Sequence, residues 1–568
     1  MAERRHGRRA PVAVTLGTLG AVLLTGCAGV PTSGSVHVGR VIPAVAGLSQ
    51  DDIRVLPPRP SPGMSQQALV AGFLRATVNP DGDYSAARAY LAAGATWNTT
   101  VGITTYNLGA SQLRQLGPKV VGLTAARVGT ITSRGDYVSS PGALQRRFTL
   151  VRQAGQWRIS RLPAGVLLAA ADAQHALQGE TVFYLNRAEN ALVPEQILVP
   201  QNQPGLATTL VRALVSGPPV PLAAAVHTAV PAGTRLLGNV PIDSNGVAEV
   251  DLAGVPPQNS PQSLAELSAQ IGWTLTQVGV TAVRLLVDGE PLVAPGFPPV
   301  QAATKAFNPN LPPTQSGLLF VHGRRIHGFG EPVPPALARL SDLRDPVISA
   351  DGAAVAALRV RRSDEQLLVG PAAGALSVRL TATAISAPSF DPAGDAVVAA
   401  DTATGPEILE LSGAGAQRRI RAPASVLDHG ITDLSVSPDG TRVAMVVGGP
   451  GPSSLVVGLL ALRRGRLRIV GARPIINAGS DVRGLGWNGP AQLVTTIRTA
   501  GGKRVVVSSD TLGYDVQELS PARLPGRPTQ VADAPGERPF AVAGRGLYRL
   551  AGGRWARVST GADPAYAG

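Results

Sequence analysis

The sequence predicts a multidomain protein: an N-terminal α+β domain, a central α/β domain and an all-β C-terminal propeller of five or six blades. Three observations predict it. Helical periodicity near residue 70 gives way to strand-like segments and a hairpin turn up to residue 162, which is an α+β order. Strand and helix patterns then alternate between 179 and 294, as α/β units do. Beyond 313 an Asp-Gly turn unit recurs about every 45 residues, the length of one four-stranded blade.

In chain order, Arg4, Arg5, Arg8 and Arg9 form a basic head, Ala10 to Leu24 an apolar segment, and Leu24-Thr25-Gly26-Cys27 its close. This is the layout of a secretory signal. Fifteen apolar residues are too few to span a hydrocarbon core of about 30 Å, which takes roughly twenty. The Leu-x-Gly-Cys pattern resembles the lipobox of bacterial lipoproteins. The resemblance implies cleavage after Gly26, a diacylglycerol on the thiol of Cys27 and an acyl group on its new amino end. Two or more acyl chains make attachment stable where one is marginal. The competing reading is an uncleaved anchor with a chance cysteine. Residues 1–26 are thus read as a signal peptide and 27–62, with Pro31, Pro43, Pro57, Pro58, Pro60 and Pro62, as a proline-stiffened tether.

Length leaves room for three or four domains. Cys27 is the single cysteine, so no internal disulfide forms and burial alone must hold an exported chain together. The net charge of +14 suits a polyanion. Export removes nucleic acid from the partners, and 4% aromatic residues leave little for base stacking. Wall polymer and anionic lipid remain. Three lysines against 48 arginines also fit a diffuse charge set by genome composition.

The first domain is placed at 63–172. Ser65 caps a helix over 66–78 with Leu69 and Phe73, then Val70, Leu74 and Val78, at four-residue spacing. Asn79-Pro80-Asp81-Gly82 stops it, a second helix covers 84–91, and strands follow at 99–106, 119–132, 145–152 and 156–162, the last two joined at Ala154-Gly155. The ending Phe148-x-Leu, Gly155-x-Trp157-x-Ile159 resembles the terminal hairpin of cone-shaped domains similar to nuclear transport factor 2. No convergent polar residues mark a pocket, which favours a scaffold.

The second domain is placed at 179–294. It reads as a strand at 181–185, a helix at 206–215 with Leu206, Leu210 and Leu214, and a strand at 246–252. A helix follows, capped by Ser260 with Pro261 first, its stripe made by Leu264, Leu267, Ile271, Leu275 and Val278. A strand at 282–287 and the Asp288-Gly289 turn complete it. Pro231-x-Gly-Thr, Gly246-x-Ala-x-Val-Asp-Leu and Gln270-Ile-Gly-Trp-Thr-Leu-Thr276 resemble the GerMN family, a small α/β module of envelope and spore proteins, which implies a binding or assembly role. Glu249 and Asp251 share a strand face and could suit a metal; a solvated edge is the plainer reading.

Residues 295–313 are a proline-rich linker and 314–560 the propeller. Its turns are Ile348-Ser-Ala-Asp351-Gly352, Pro388-Ser-Phe-Asp391-Pro-Ala-Gly394 and Leu434-Ser-Val-Ser-Pro438-Asp439-Gly440, with weaker copies at Gly486-Trp487-Asn488-Gly489 and Asp533-Ala-Pro-Gly536. Each is a hairpin turn whose glycine allows the reversal. The Ser-Pro-Asp-Gly form is similar to TolB-like and WD-type repeats. Leu318 to Val321 and Gly546 to Val558 are the expected ring-closing strands.

Zincin, hydrolase-elbow, Ser-x-x-Lys, P-loop and calcium-loop motifs are absent, so no catalytic, cofactor-binding or metal residues are assigned and the chain is read as not an enzyme. His322 and His327, at an odd offset on one strand, would face opposite ways. Asp428-His429 near Asp433 and Asp439 is a looser cluster.

The order of lipobox, Cys27-Ala-Gly-Val-Pro-Thr-Ser-Gly, GerMN-like unit and Asp-Gly propeller resembles the actinobacterial LpqB lipoprotein family over nearly the whole chain. That resemblance implies a lipid-anchored protein on the extracytoplasmic face of the cell membrane. It further implies an accessory that contacts the outer domain of an MtrB-type sensor histidine kinase and modulates MtrA-MtrB signalling in envelope maintenance and division. The alternative is a binding module for anionic cell-wall polymer.

Overall fold

Ser65 accepts the N–H of Ala68 at 3.2 Å and opens α1, Gln66–Ala76. The computed structural model that shows this describes residues 59–568, except 202, 257–260, 293–306, 310–316, 414, 450, 478 and 520–523. The signal, Cys27, nearly all of the tether and Ser260 lie outside the described residues, as does most of the linker.

Helix α1 ends two residues before the predicted Val78, because the Thr77 hydroxyl turns to the carbonyls of Leu74 and Leu167. Next come α2 (Asp81–Arg88), β1 (Ile103–Gly117), β2 (Val120–Ile131), β3 (Tyr137–Gln153), β4 (Gln156–Arg161), β5 (Val166–Ala169) and α3 (Ala170–Ala176). The sheet order is β4-β3-β2-β1-β5. Strands β1 and β3 run much longer than predicted, and β5, too short to show a period, pairs parallel to β1. Ala154 and Gly155, both at positive φ, make the predicted hairpin turn. The sheet's inner side is filled rather than hollow. Phe73 stacks edge-on with Trp97 and Phe148 at 5.2 and 6.0 Å, and a Cβ at Gly72 would lie 2.6 Å from the Tyr90 ring.

The second unit contains β6 (Leu177–Asn186), β7 (Leu192–Pro200), α4 (Leu206–Val215), β8 (Val226–His227), β9 (Arg235–Leu236), β10 (Val247–Ala253), α5 (Pro261–Thr276), β11 (Ala282–Val287) and β12 (Glu290–Pro291). Strands β10 and β11 are parallel and joined through α5, while β7-β6-β8 form a separate sheet. The predicted stripe is core: Leu267, Ile271 and Leu275 are fully buried, each worth about 1.5–3 kcal/mol. Strand β7 was not predicted because Pro194 and Pro200 interrupt it. As the edge of its sheet it tolerates them. Polar residues of α5, and Gln277 just past its end, stitch it to β6. The Thr274 hydroxyl accepts the Phe183 N–H at 3.2 Å, Gln270 donates to the Phe183 carbonyl at 3.0 Å, and the Gln277 side chain bonds both backbone groups of Thr181.

Among the described residues, six sheets surround one axis in the last part. Blades one to five have inner strands Leu343–Ile348, Ser389–Phe390, Ile431–Val436, Arg483–Trp487 and Pro528–Ala532. The sixth is a three-stranded sheet in which Ala562–Ala565 pairs with Leu318–His322, which pairs with Arg325–Phe329. The ring therefore closes through residues beyond the expected end at 560. The expected closing segment, Gly546 to Val558, supplies the two outer strands of blade five instead. The strand pattern stops at Thr560-Gly561, and a four-residue strand containing Pro564 carries no period. The Asp-Gly turns share one mechanism: the Ser349 and Ser437 hydroxyls accept the N–H groups of Ala354 and Arg442, while Asp351 and Asp439 accept those of Ala353 and Thr441.

From Arg59 onward the described residues form one compact unit. Ile131, Tyr137, Leu177, Leu198 and Leu512 share one apolar cluster across all three parts, with Tyr137 edge-on to Tyr514 at 5.2 Å. Beside it Arg442, 2% exposed, donates to the Pro194 carbonyl at 2.6 Å and the Glu195 carboxylate at 2.8 Å. Burial pushes the Glu195 carboxyl up, against the pull of Arg442.

Candidate binding chamber on the propeller axis

A propeller's inner strands converge on a channel, and what lines it depends on which residues each strand turns inward. Here the inner strands break register at one level. The shifts fall between Arg344 and Val347, Ile431 and Asp433, Arg483 and Leu485, and Pro528 and Gln530, and at the closing pair between Leu319 and Val321. A bulge adds a residue and re-aims side chains. Asp345 and Asp563 take positive φ there, 48° and 49°, a conformation aspartate tolerates better than most residues.

The bulges build a waist. Asp345, Ala387, Asp433, Gly484 and Gln530, one from each of five blades, line both cavities that meet on the axis. Asp563 of the sixth blade joins them, accepting from the Gln530 side-chain amide at 2.6 Å while its own N–H donates back at 2.9 Å. On one side opens a chamber of about 440 Å³, walled by Pro388, Phe390, Leu485, Trp487, Val531 and Tyr566. On the other lies a more polar opening that includes Arg344, Glu365 and Asp401.

The charges are unevenly met. Arg344 pairs with Asp345 and, at 2.6 Å, with Glu365. Asp433 uses one oxygen on the Leu434 N–H, and Asp533, 6% exposed at the chamber wall, uses one on the Ala534 N–H and leaves Oδ2 without a hydrogen-bond partner. Burial lifts all three. Asp345 rises to about 6, with Asp563 adding to the shift. Asp433 rises to about 7, with Asp345 adding to it, and Asp533 to about 7, with Glu537 adding a little.

A raised carboxyl favours the folded state while protonated, so its contribution is full below the ordinary carboxylate range and is lost as pH rises through the folded value. For Asp433 and Asp533 that window closes near pH 7. Asp433→Asn and Asp533→Asn are therefore expected to raise the melting temperature at pH 8 and to leave it nearly unchanged at pH 3, below the ordinary carboxylate range. Equal effects at both pH values would contradict the burial of these carboxylates.

Of the residues singled out in the sequence, Cys27 lies outside the described residues. Glu249 pairs with Arg284 at 3.2 Å, and Asp251 accepts the N–H of Gly289. His322 and His327 do not sit on one strand. They occupy the two arms of a hairpin, with ring centroids 5.6 Å apart, and His322 Nδ1 lies 3.0 Å from the Thr560 hydroxyl. The Asp428 cluster disperses: Asp433 is at the waist while Asp439, in the turn, faces Arg442 at 3.6 Å. Among the described residues one trio of carboxylates, Asp391, Asp395 and Glu410, is close enough to share a metal ion. The Arg418 guanidinium already meets Glu410 at 2.6 Å and Asp395 at 3.1 Å. No helix among the described residues is long and apolar enough to cross a membrane. The waist carries no sequence motif; only the shared level of five bulges reveals it.

The basic excess is shared by the two ends of the described chain and absent from the middle, with a net +8 over 59–174 and again over 294–568. Residues 59–174 hold twelve Lys and Arg against four Asp and Glu, whereas 181–293 hold four against eight.

Comparison with known proteins adds three family matches. Residues 59–174 match the lipoprotein LpqB N-terminal domain, 181–293 a domain described as sporulation and spore germination, and 324–567 the lipoprotein LpqB beta-propeller domain. Relatives called Lipoprotein LpqB include one from Cutibacterium acnes, 30% identical over 81% of each chain. Others are from Rhodococcus jostii, 26% identical over 93% of this chain and 92% of that one, and Streptomyces coelicolor, 27% identical over 99% of each. Among solved structures, TolB from Acinetobacter baumannii aligns with a TM-score of 0.34 at 13% identity, over 59% of this chain and 99% of that one.

Proposed function

The chain belongs to the LpqB lipoprotein family, and from that premise we propose a non-enzymatic accessory protein, lipid-anchored at Cys27 on the extracytoplasmic face of the cell membrane. It acts by protein contact on the outer domain of an MtrA-MtrB-type sensor kinase, in envelope homeostasis and division. The lock between domains supports this reading most. The Arg442 contact to Glu195 and the shared cluster around Leu198 and Leu512 hold three binding-type folds in one body, which presents fixed surfaces to a partner. The mature chain should retain the purified kinase outer domain in a pull-down; no retention at micromolar concentration would sink the kinase partnership. Cys27→Ala is expected to move the protein from the membrane pellet to the soluble fraction, and unchanged retention after a carbonate wash would refute the anchor.

A second reading, a module for anionic cell-wall polymer, is favoured by the basic excess of residues 59–174. It predicts sedimentation with purified wall that falls steeply with salt, and salt-independent sedimentation would remove it.

A further inference from the structure

The waist is costly for a structural element. Ionised carboxyl groups held away from water destabilise a fold unless they are paired, and a propeller axis can be closed with apolar side chains instead. Here Asp345 has Arg344, whereas no cation pairs with Asp433 or Asp533 among the described contacts, and Asp533 keeps one oxygen unbonded beside the chamber. The space next to them, about 440 Å³, lies within the roughly 300–1,000 Å³ of ligand pockets. Its wall joins apolar and aromatic side chains to a ring of carboxylates, Asp351, Asp391, Asp433 and Asp533 among them.

We propose that this chamber binds an organic cation with an apolar or aromatic body, an ammonium, amidinium or guanidinium group seated between Asp433 and Asp533 with its body against Leu485, Trp487 and Tyr566. An anion would meet six aspartates and no lysine or arginine among the lining residues. A neutral apolar guest would dehydrate the carboxylates and give them no partner, which is worse than leaving them wet. A bare metal ion needs oxygens converging on one point, and the waist carboxylates are not among those close enough to share one. A planar, delocalised cation suits charges that are spread. The Trp487 indole N–H already donates to the Ser435 carbonyl at 3.3 Å, so its ring remains as wall, and a cation against that face gains further. The guest could be a side chain of a partner protein or a free small molecule. The inference stands apart from the kinase reading, since neither needs the other.

Four probes test it on the full mature chain at pH 8 and low salt: benzamidinium, its neutral isostere benzamide, and the capped peptides Ac-Leu-Arg-Phe-NH2 and Ac-Leu-Gln-Phe-NH2. Calorimetry should show each cationic probe binding at least tenfold more tightly than its neutral partner. The near-isosteric double variant Asp433→Asn/Asp533→Asn, checked for an intact melt, should remove that preference, and Trp487→Phe should remove the fluorescence change on binding. A tighter peptide assigns a protein side chain as the guest and a tighter benzamidinium a free small cation; both support the proposal. Equal binding of cation and isostere overturns it, as does a double variant that still prefers the cation. Absence of binding by all four probes at about 10 mM overturns it as well. The wild-type comparison alone decides if the double variant fails to fold.

Discussion

A chain ended at Gly561 is expected to lose the propeller as a closed ring. The truncation removes Ala562–Ala565, the inner strand of the sixth blade, and with it the pairing to Leu318–His322. Leu318, Leu319 and Phe320, now 1%, 4% and 6% exposed, lose their cover, at about 1.5–3 kcal/mol each. Tyr566 goes too, with its edge-on contact to Phe540 at 6.0 Å and its hydroxyl bond to the Arg538 carbonyl. The edge of Leu318–His322 then faces water unpaired, which invites association. The expected result is protease cleavage throughout 318–561 and loss of a cooperative melt, while the helices and sheets before residue 293 stay resistant. A truncated chain that melts like the full one would show that five blades suffice.

Arg442→Ala is expected to cost about 3–5 kcal/mol, the range for removing one partner of a buried ion pair. The guanidinium serves two parts of the molecule at once. It donates to the Pro194 carbonyl and Glu195 of the central unit and faces Asp439 of its own turn at 3.6 Å. Without it, two carboxylates already pushed up by burial keep their desolvation and lose their counterion. Thermal unfolding should drop sharply, and limited proteolysis should separate the propeller from the units before it. Replacing the pair together, Arg442→Met with Glu195→Leu, should recover the share of the loss due to Glu195, while Asp439 still lacks its counterion. If Arg442→Ala alone melts within a degree or two of the parent, the junction does not depend on this pair.

Much of the fold was legible because its elements are local. Four-residue spacing in Leu206, Leu210 and Leu214 gave α4, and Asp351-Gly352 and Asp439-Gly440 gave blade turns, since each pattern is complete within a few residues. Two strands were hidden by their own prolines, Pro194 in β7 and Pro564 in the closing strand, where edge position or ring closure makes the proline tolerable. The repeat turns named several residues of the chamber wall, Phe390, Trp487 and Asp533 among them, but the waist was not legible. Asp345, Asp433, Gln530 and Asp563 are spaced irregularly, and nothing in their neighbours distinguishes them from surface residues. They meet because bulges in different blades fall at one level, a property of the ring and not of any segment. The Arg442–Glu195 pair, 247 positions apart, is invisible for the same reason. The histidine pair misled because one strand was assumed where Gly323-Arg324 makes a hairpin.

The polar side of α5 has a meaning for the life of the protein outside the cell. Along the edge of β6 away from β7, β8 takes only Leu185 and Asn186. The stretch before them is answered by Gln270, Thr274 and Gln277, which bond the backbone of Phe183 and Thr181. Helix α5 and the residue after it thereby do the work of a missing strand, and from Thr181 to Asn186 the edge is covered against another molecule's extended chain. This is protection against edge-to-edge polymerisation that needs no extra strand and no disulfide.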